Sequence, residues 1–176
     1  MRRSYKTNLP IKTKIFIILI LTIAVFSRLG FDAKNIKNTT TDSGYYKVIG
    51  IIDGDTIRIL KDKETIRVRL HGIDCPEKNQ PYYEKAKQFT SKHTYEKTVF
   101  INKRTEDRYQ RWVADVLLPD GRNLNHLIVE NGLGWRYEKY TPNDSTLKNL
   151  EKKARKAKIN IWSEPDPIPP WKFRKK

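Results

Sequence analysis

Carboxylates stand at the ends of two strand-like runs within residues 48–77. Asp53 and Asp55 flank a glycine after the first run, and Asp74 and Glu77 follow the second. An Asp-Gly pair is a common turn signal, so a turn alone would explain Asp53. Asp55, Asp74 and Glu77 would form a cluster of hard oxygen ligands if the two runs pair, and such a cluster suits a calcium or magnesium ion.

The two runs have the pattern of β-strands that could position these acids. Residues 48–52 are mostly β-branched and apolar, residues 53–55 form a turn signal, and residues 56–60 resume the strand pattern, which predicts a hairpin. The second run alternates apolar with basic side chains: Ile66, Val68 and Leu70 against Arg67, Arg69 and His71. We therefore expect Arg69 to point away from the core and to lie beside the acids, where a guanidinium can bind phosphate.

Basic and aromatic residues recur further along the chain. Arg108 and Tyr109 lie in a charged stretch over residues 103–110 that we expect to be a loop between strands at 99–102 and 112–118, and Arg111 lies at the start of the second strand. A solvated surface loop explains them, and so does a nucleotide contact in which the guanidinium meets phosphate and the ring meets a base. Tyr140 has the same two explanations, because an aromatic side chain near a loop either packs in the core or stacks on a nucleotide.

Three motifs in one order carry a specific resemblance. DGDT at 53–56, RVRLHGIDCPE at 67–77 and DRYQR at 107–111 together resemble the staphylococcal nuclease (thermonuclease) family over residues 45–162. The resemblance implies an α+β fold, a five-stranded OB-type β-barrel with three helices. It also implies a nuclease that hydrolyses phosphodiesters of DNA, RNA or both, depends on Ca²⁺ and leaves 3′-phosphate ends.

The family's functional residues transfer to nine positions of this chain. The implied metal ligands are Asp55, Asp74 and the backbone carbonyl of Cys75; the implied catalytic residues are Arg69, Glu77 and Arg111; the implied substrate-binding residues are Arg108, Tyr109 and Tyr140. Glu77 would activate a water, and the two arginines would brace the phosphate. Two positions depart from the family, since Gln110 stands where glycine is frequent and Glu138 stands where the founding enzyme has a tyrosine.

Charge and cysteine content agree with a polyanion-binding domain. The formal net charge is +16, and +10 of it belongs to residues 45–176. Such a charge attracts nucleic acids through counterion release, although anionic membrane surfaces attract it as well. The single cysteine excludes an internal disulfide and a cysteine-based zinc site. We expect a monomer with no obligate protein partner, and the sequence leaves the choice between DNA and RNA open.

The N-terminal segment has the layout of an export signal. Five lysines and arginines precede an apolar run over residues 15–26. Cleavage would release the protein, whereas an apolar segment extended over residues 15–31 would remain as a membrane anchor. Both alternatives place the protein outside the cytoplasm. We thus expect a signal or anchor at 1–31, a spacer at 32–44, the nuclease-like domain at 45–162 and an extended, proline-rich basic tail at 163–176.

Two non-catalytic alternatives use the same charge. A binding module on this fold would bind nucleic acid or peptide without turnover and would be expected to lose the acids or the arginines. A surface adhesin would need neither. The presence of both sets therefore favours an enzyme.

Overall fold

A closed β-barrel forms the centre of the computed structural model, which describes residues 42–175. Its strands follow the order β1-β2-β3-β6-β5, and every neighbouring pair is antiparallel except β3 and β6, which run parallel. A separate two-stranded sheet pairs β4 with β7. The strands are β1 (Gly44–Ile51), β2 (Thr56–Lys61), β3 (Glu64–Leu70), β4 (Ile73–Asp74), β5 (Thr98–Glu106), β6 (Trp112–Leu117) and β7 (Trp135–Arg136).

Helices follow β4, β6 and β7. They are α1 (Tyr83–Thr94), α2 (Leu124–Glu130), α3 (Ser145–Lys156) and the short α4 (Pro170–Phe173). The Asn123 side chain accepts a hydrogen bond from the backbone N–H of His126 at 3.2 Å and so caps the N-terminus of α2. Asp144 caps α3 in the same way through the backbone of Leu147 at 2.9 Å. The predicted α+β fold with an OB-type five-stranded barrel is confirmed.

Alternating side chains fill the barrel. The positions that point inward from the strands are fully buried: Val48, Ile57, Ile59, Val68, Leu70, Val99, Ile101, Ala114 and Val116. On β3, the period of two in the sequence correctly predicted that Val68 and Leu70 point inward. Arg69 lies between two of these buried residues on β3 and points outward, as predicted.

Two local predictions were wrong. The charged stretch expected as a loop over 103–110 is strand as far as Glu106, because β5 continues to pair with β6 up to the pair Glu106↔Trp112. The tail expected to be wholly extended contains α4, which begins at Pro170, and proline is well suited to the first position of a helix. In both segments the side chains show no periodic pattern, so the sequence did not indicate the pairing of β5 or the start of α4.

Gly54 stands where the turn after β1 touches the rest of the domain. A Cβ atom built on Gly54 would lie 2.8 Å from the Cβ of Cys75 and 2.9 Å from the Cβ of Ala86. These distances are shorter than van der Waals contact, so the close approach requires a residue without a side chain.

We expect Gly54→Ala to lower the free energy of unfolding by about 1–3 kcal/mol, because the added methyl group overpacks this contact. Urea unfolding followed by tryptophan fluorescence measures the loss. Gly44→Ala is the matched control, since a Cβ there would meet its nearest neighbour at an ordinary 3.5 Å. Equal midpoints for the two variants would contradict the close approach.

The predicted signal or anchor at residues 1–31 lies outside the described residues, and so does the spacer except for its last three positions. Within residues 42–175, no helix is both long enough and apolar enough to cross a membrane.

Candidate active site

Arg69 lies at the centre of an acidic cluster. Its Nη2 atom donates to Oδ1 of Asp74 at 2.6 Å, and its Nη1 atom contacts Oδ1 of Asp55. The contact between Nη1 and Asp55 is an ion pair, and Nη1 makes no hydrogen bond. The strand register explains the contact with Asp55, because Arg69 on β3 stands opposite Thr56, the residue after Asp55. Burial opposes the charge of Arg69, but the Asp55 and Asp74 carboxylates raise its pKa above the usual value.

Asp55 is buried and fixed at both carboxylate oxygens. Its Oδ2 atom accepts a hydrogen bond from the backbone N–H of Cys75 at 2.6 Å, and its Oδ1 atom accepts one from Thr56 Oγ1 at 3.1 Å. Burial alone would raise its pKa, but the Arg69 guanidinium and the Cys75 N–H bring the pKa below the ordinary value. Asp55 is therefore ionised. Its hydrogen bond to the Cys75 N–H holds the turn after β1 against the residue that follows β4.

Asp74 is held in place by the small sheet. It is 1% exposed and lies on β4, where it pairs with Trp135 of β7. Arg69 contacts one side of its carboxylate, and Arg174 from the C-terminal segment contacts the other at 2.9 Å through Nη2 and Oδ2. Two guanidiniums therefore converge on one buried carboxylate.

Asp53 belongs to the same cluster, although a turn explained it in the sequence. Its Oδ1 atom accepts the backbone N–H of Asp55 at 3.0 Å, which is the expected turn contact. Burial and the neighbouring Asp55 charge raise the pKa of Asp53 to about 7. The three carboxylates Asp53, Asp55 and Asp74 thus outnumber the two guanidiniums of Arg69 and Arg174, and a bound divalent cation would relieve this excess. The Asp-Gly-Asp spacing was the signal that could have indicated a second acid.

The donor atoms suit a hard cation. Within residues 42–175, no group of three or more His, Cys, Asp and Glu side chains is arranged to hold a metal ion. The predicted set instead has two carboxylates, Asp55 and Asp74, and a backbone carbonyl, and calcium commonly completes such a set with waters and substrate oxygens. Burial raises the pKa of the Cys75 thiol well above its usual value, so this sulfur stays protonated and does not offer a soft ligand. The residues present therefore fit calcium.

Glu77 lies at the rim of the cluster on a loop fixed by its own hydrogen bonds. The Gln80 side chain accepts the backbone N–H of Glu77 at 2.7 Å, and the Gln80 N–H donates to the Glu77 carbonyl at 2.8 Å. Nη1 of Arg174 contacts Oε1 of Glu77. Sequence reasoning missed Gln80 and Arg174, and no local spacing could have indicated Arg174, which lies 97 positions after Glu77.

Arg111 makes its ionic contact with Asp107 instead of the acidic cluster. Its Nε atom donates to Oδ2 of Asp107 at 2.8 Å, and the Asp107 Oδ1 atom accepts the backbone N–H of Arg111 at 3.0 Å. Gln110 between them has a φ of 59°, a left-handed conformation that glycine adopts without strain. This conformation explains why glycine suits the position in the family, and the loop forms with glutamine as well.

The predicted nucleotide-binding side chains are exposed. Tyr109 is 54% exposed, and Arg108 lies over its ring and donates to its hydroxyl at 2.8 Å. Tyr140 is 59% exposed and meets Tyr137 edge to face, with ring centroids 4.9 Å apart. Exposed aromatic rings can stack on bases, and the cations beside them can contact phosphates. Glu138, the other departure from the family, points to solvent and pairs with Arg136.

Comparisons with known proteins agree with this geometry. A family model described as "Staphylococcal nuclease homologue" matches residues 67–164. The chain is 38% identical to an "Uncharacterized endonuclease" of Escherichia coli O157:H7 over 128 residues, 73% of this chain and 83% of the relative. It is 36% identical to a "Micrococcal nuclease" of Shigella flexneri over 138 residues, 73% of this chain and 79% of the relative. It is 37% identical to a "Thermonuclease" of Staphylococcus intermedius over 161 residues, 82% of this chain and 95% of the relative.

Proposed function

This chain belongs to the staphylococcal nuclease family and is a nuclease, and we propose that it hydrolyses DNA, RNA or both with a bound calcium ion and leaves 3′-phosphate ends. The single observation that carries the proposal is the Arg69 guanidinium held between Asp55 and Asp74. This arrangement puts the two carboxylates predicted to bind metal beside a cation that can bind phosphate.

The proposed metal ligands are Asp55, Asp74 and the backbone carbonyl of Cys75. A bound calcium ion would supply Lewis-acid stabilisation of the negative charge on the phosphoryl oxygens. Arg69 already holds two of these ligand groups, and its remaining N–H groups can donate to a phosphate oxygen. Its role is thus to fix the acids and to stabilise the charge that grows on the phosphate in the transition state.

Glu77 is the proposed general base. It would accept a proton from a water whose oxygen attacks phosphorus, while the bond from phosphorus to the 5′ oxygen breaks and that oxygen takes a proton from solvent. The products are a 3′-phosphate and a 5′-hydroxyl. Partial exposure supports this role, because Glu77 is reachable by water and substrate, whereas Asp55 and Asp74 are buried.

The substrate would be oriented by the exposed side chains of Arg108, Tyr109 and Tyr140, with Arg111 as a further phosphate contact. Arg111 would then exchange its bond to Asp107 for one to phosphate, or share its donors between them. Stacking tolerates every base, so these contacts would not impose a strong sequence preference. We propose that the protein acts as a monomer.

We expect Asp55→Asn to weaken calcium affinity and to be partly rescued by high calcium, because the change removes the negative charge of one ligand. Calorimetric titration of calcium without substrate measures the affinity, and a cleavage assay over a calcium series measures the rescue. Asp62→Asn, in the exposed turn between β2 and β3, is the matched control and should titrate like the parent. Unchanged calcium affinity in a folded Asp55→Asn protein would remove Asp55 from the proposed ligand set.

We also propose that the protein is exported, from the basic and apolar pattern of residues 1–31. Cell fractionation and sequencing of the mature N-terminus test this proposal. A start within residues 27–40 would support a cleaved signal, and an intact Met1 in the membrane fraction would support an anchor. Recovery in the soluble cytoplasm alone would contradict export.

A further inference from the structure

The C-terminal strap, defined as residues 164–175, docks against the loop that carries Glu77. The carbonyl of Ile168 accepts a hydrogen bond from the Gln80 side chain at 2.9 Å, and the same side chain binds the backbone of Glu77. The Trp171 ring stacks on Tyr137 with centroids 5.1 Å apart and planes within 3° of parallel. These contacts hold the strap at two points before Arg174.

Arg174 then connects two carboxylates of the active site. Its Nη2 atom binds Asp74 Oδ2 at 2.9 Å, and its Nη1 atom contacts Glu77 Oε1. With Arg69 on the other side of Asp74, charges alternate along a continuous chain of groups: Asp55, Arg69, Asp74, Arg174 and Glu77. The proposed base is therefore linked to the proposed metal ligands through one guanidinium.

This contact restricts a side chain that would otherwise be mobile. Glu77 is partly exposed, lies on a loop and has several rotatable bonds, so its carboxylate would sample many positions without a partner. Arg174 holds Oε1. Among the hydrogen bonds of residues 42–175, none involves Oε2, which leaves that oxygen for a water. A planar guanidinium suits this task because its fork fixes direction as well as charge.

We propose that Arg174 is a positioning residue of the nuclease reaction, which holds the Glu77 carboxylate at a fixed place relative to Asp74. The proposal rests on the proposed function, because it assigns Arg174 a role through the base of that reaction. The opposite role is a latch that covers Glu77 and Asp74 until substrate arrives. The two roles predict opposite effects on turnover when Arg174 is removed.

The experiment compares the full chain with Arg174→Ala, Arg174→Lys and Lys175→Ala. Lys175 is exposed on the same strap and is the control for loss of one positive charge. We expect Arg174→Ala to lower kcat by about 10- to 100-fold, the size of effect that a small misplacement of a catalytic group produces, with little change in KM. Arg174→Lys should recover part of the rate, since it restores the charge without the fork, and Lys175→Ala should match the parent.

A double-mutant cycle tests whether Arg174 acts through Glu77. If it does, Glu77→Gln combined with Arg174→Ala is no slower than Glu77→Gln alone, because groups that act as a unit are not additive. Additive losses would overturn the proposal. A parent-like or higher kcat in Arg174→Ala would also overturn it, and a higher value would indicate the latch.

Two measurements without turnover separate positioning from a structural role. The urea unfolding midpoint of Arg174→Ala should match that of the parent. Its calcium affinity should equal or exceed that of the parent, since one positive charge has been removed from beside Asp74. Weaker calcium binding together with a lower unfolding midpoint would mean that the strap only stabilises the fold. A parent protein without nuclease activity in calcium would instead refute the proposed function, so the two failures are distinguishable.

Discussion

Replacing Glu77 with glutamine is expected to lower kcat by about 10² to 10⁴-fold, the range for loss of a general base. The amide keeps the size of the side chain and can still accept a hydrogen bond from Arg174, but it cannot take a proton from water. Binding of DNA should persist, because the arginines and lysines remain. Single-turnover cleavage of an end-labelled oligonucleotide measures the chemical step separately from product release.

Glu64→Gln provides the control, since Glu64 is exposed at the start of β3. It changes charge by the same amount and should cleave at the parent rate. A folded Glu77→Gln protein that also cleaves at the parent rate would show that Glu77 is not the base.

Arg69→Lys is expected to lower turnover by about 10² to 10³-fold, comparable to removal of one donor to the transition-state charge. Lysine retains the positive charge, but a single ammonium group lacks the planar fork that joins Asp55 to Asp74. The loss should appear mainly in kcat, because the two carboxylates lose their fixed separation and the phosphate loses a donor. Steady-state kinetics at saturating calcium and a urea unfolding curve measure both consequences.

Arg58→Lys on the neighbouring strand is the matched control, since Arg58 is exposed on β2. It should leave both measurements unchanged. If Arg69→Lys retained parent turnover, the phosphate-binding role of Arg69 would be wrong, and its function would be limited to neutralising the acids.

Local patterns predicted the strands that carry the acidic cluster, because strand signals depend on residues close in sequence. The closed barrel was implied only by the family resemblance, because its closure pairs strands that lie far apart in the chain. The alternation around Val68 and Arg69 indicated which β3 side chains point into the core, and the two strand-like runs indicated that Asp55 and Asp74 lie near Arg69 if the runs pair. The same alternation could not show that the charged end of β5 remains paired, since its register depends on β6.

The contacts that the sequence did not reveal join distant segments. Arg174 lies at the C-terminal end of α4 and binds Asp74, 100 residues earlier in the chain, and a basic tail has no periodic pattern that indicates its docking. Gln80 was missed for a similar reason, since its side chain connects the Glu77 loop to Ile168. Asp53 was correctly assigned to a turn. Its raised pKa in the acidic cluster depends on burial, which the identity of the residue alone does not reveal.

The most direct test of the proposed function is the analysis of cleavage products from end-labelled DNA and RNA oligonucleotides, each incubated with calcium or with excess chelator. We predict cleavage only in calcium, with fragments that co-migrate with 3′-phosphate standards and lose the phosphate on treatment with a 3′-phosphatase. Full cleavage in chelator, or fragments that end in 3′-hydroxyl groups, would contradict the calcium-assisted mechanism at Asp55, Asp74 and Glu77.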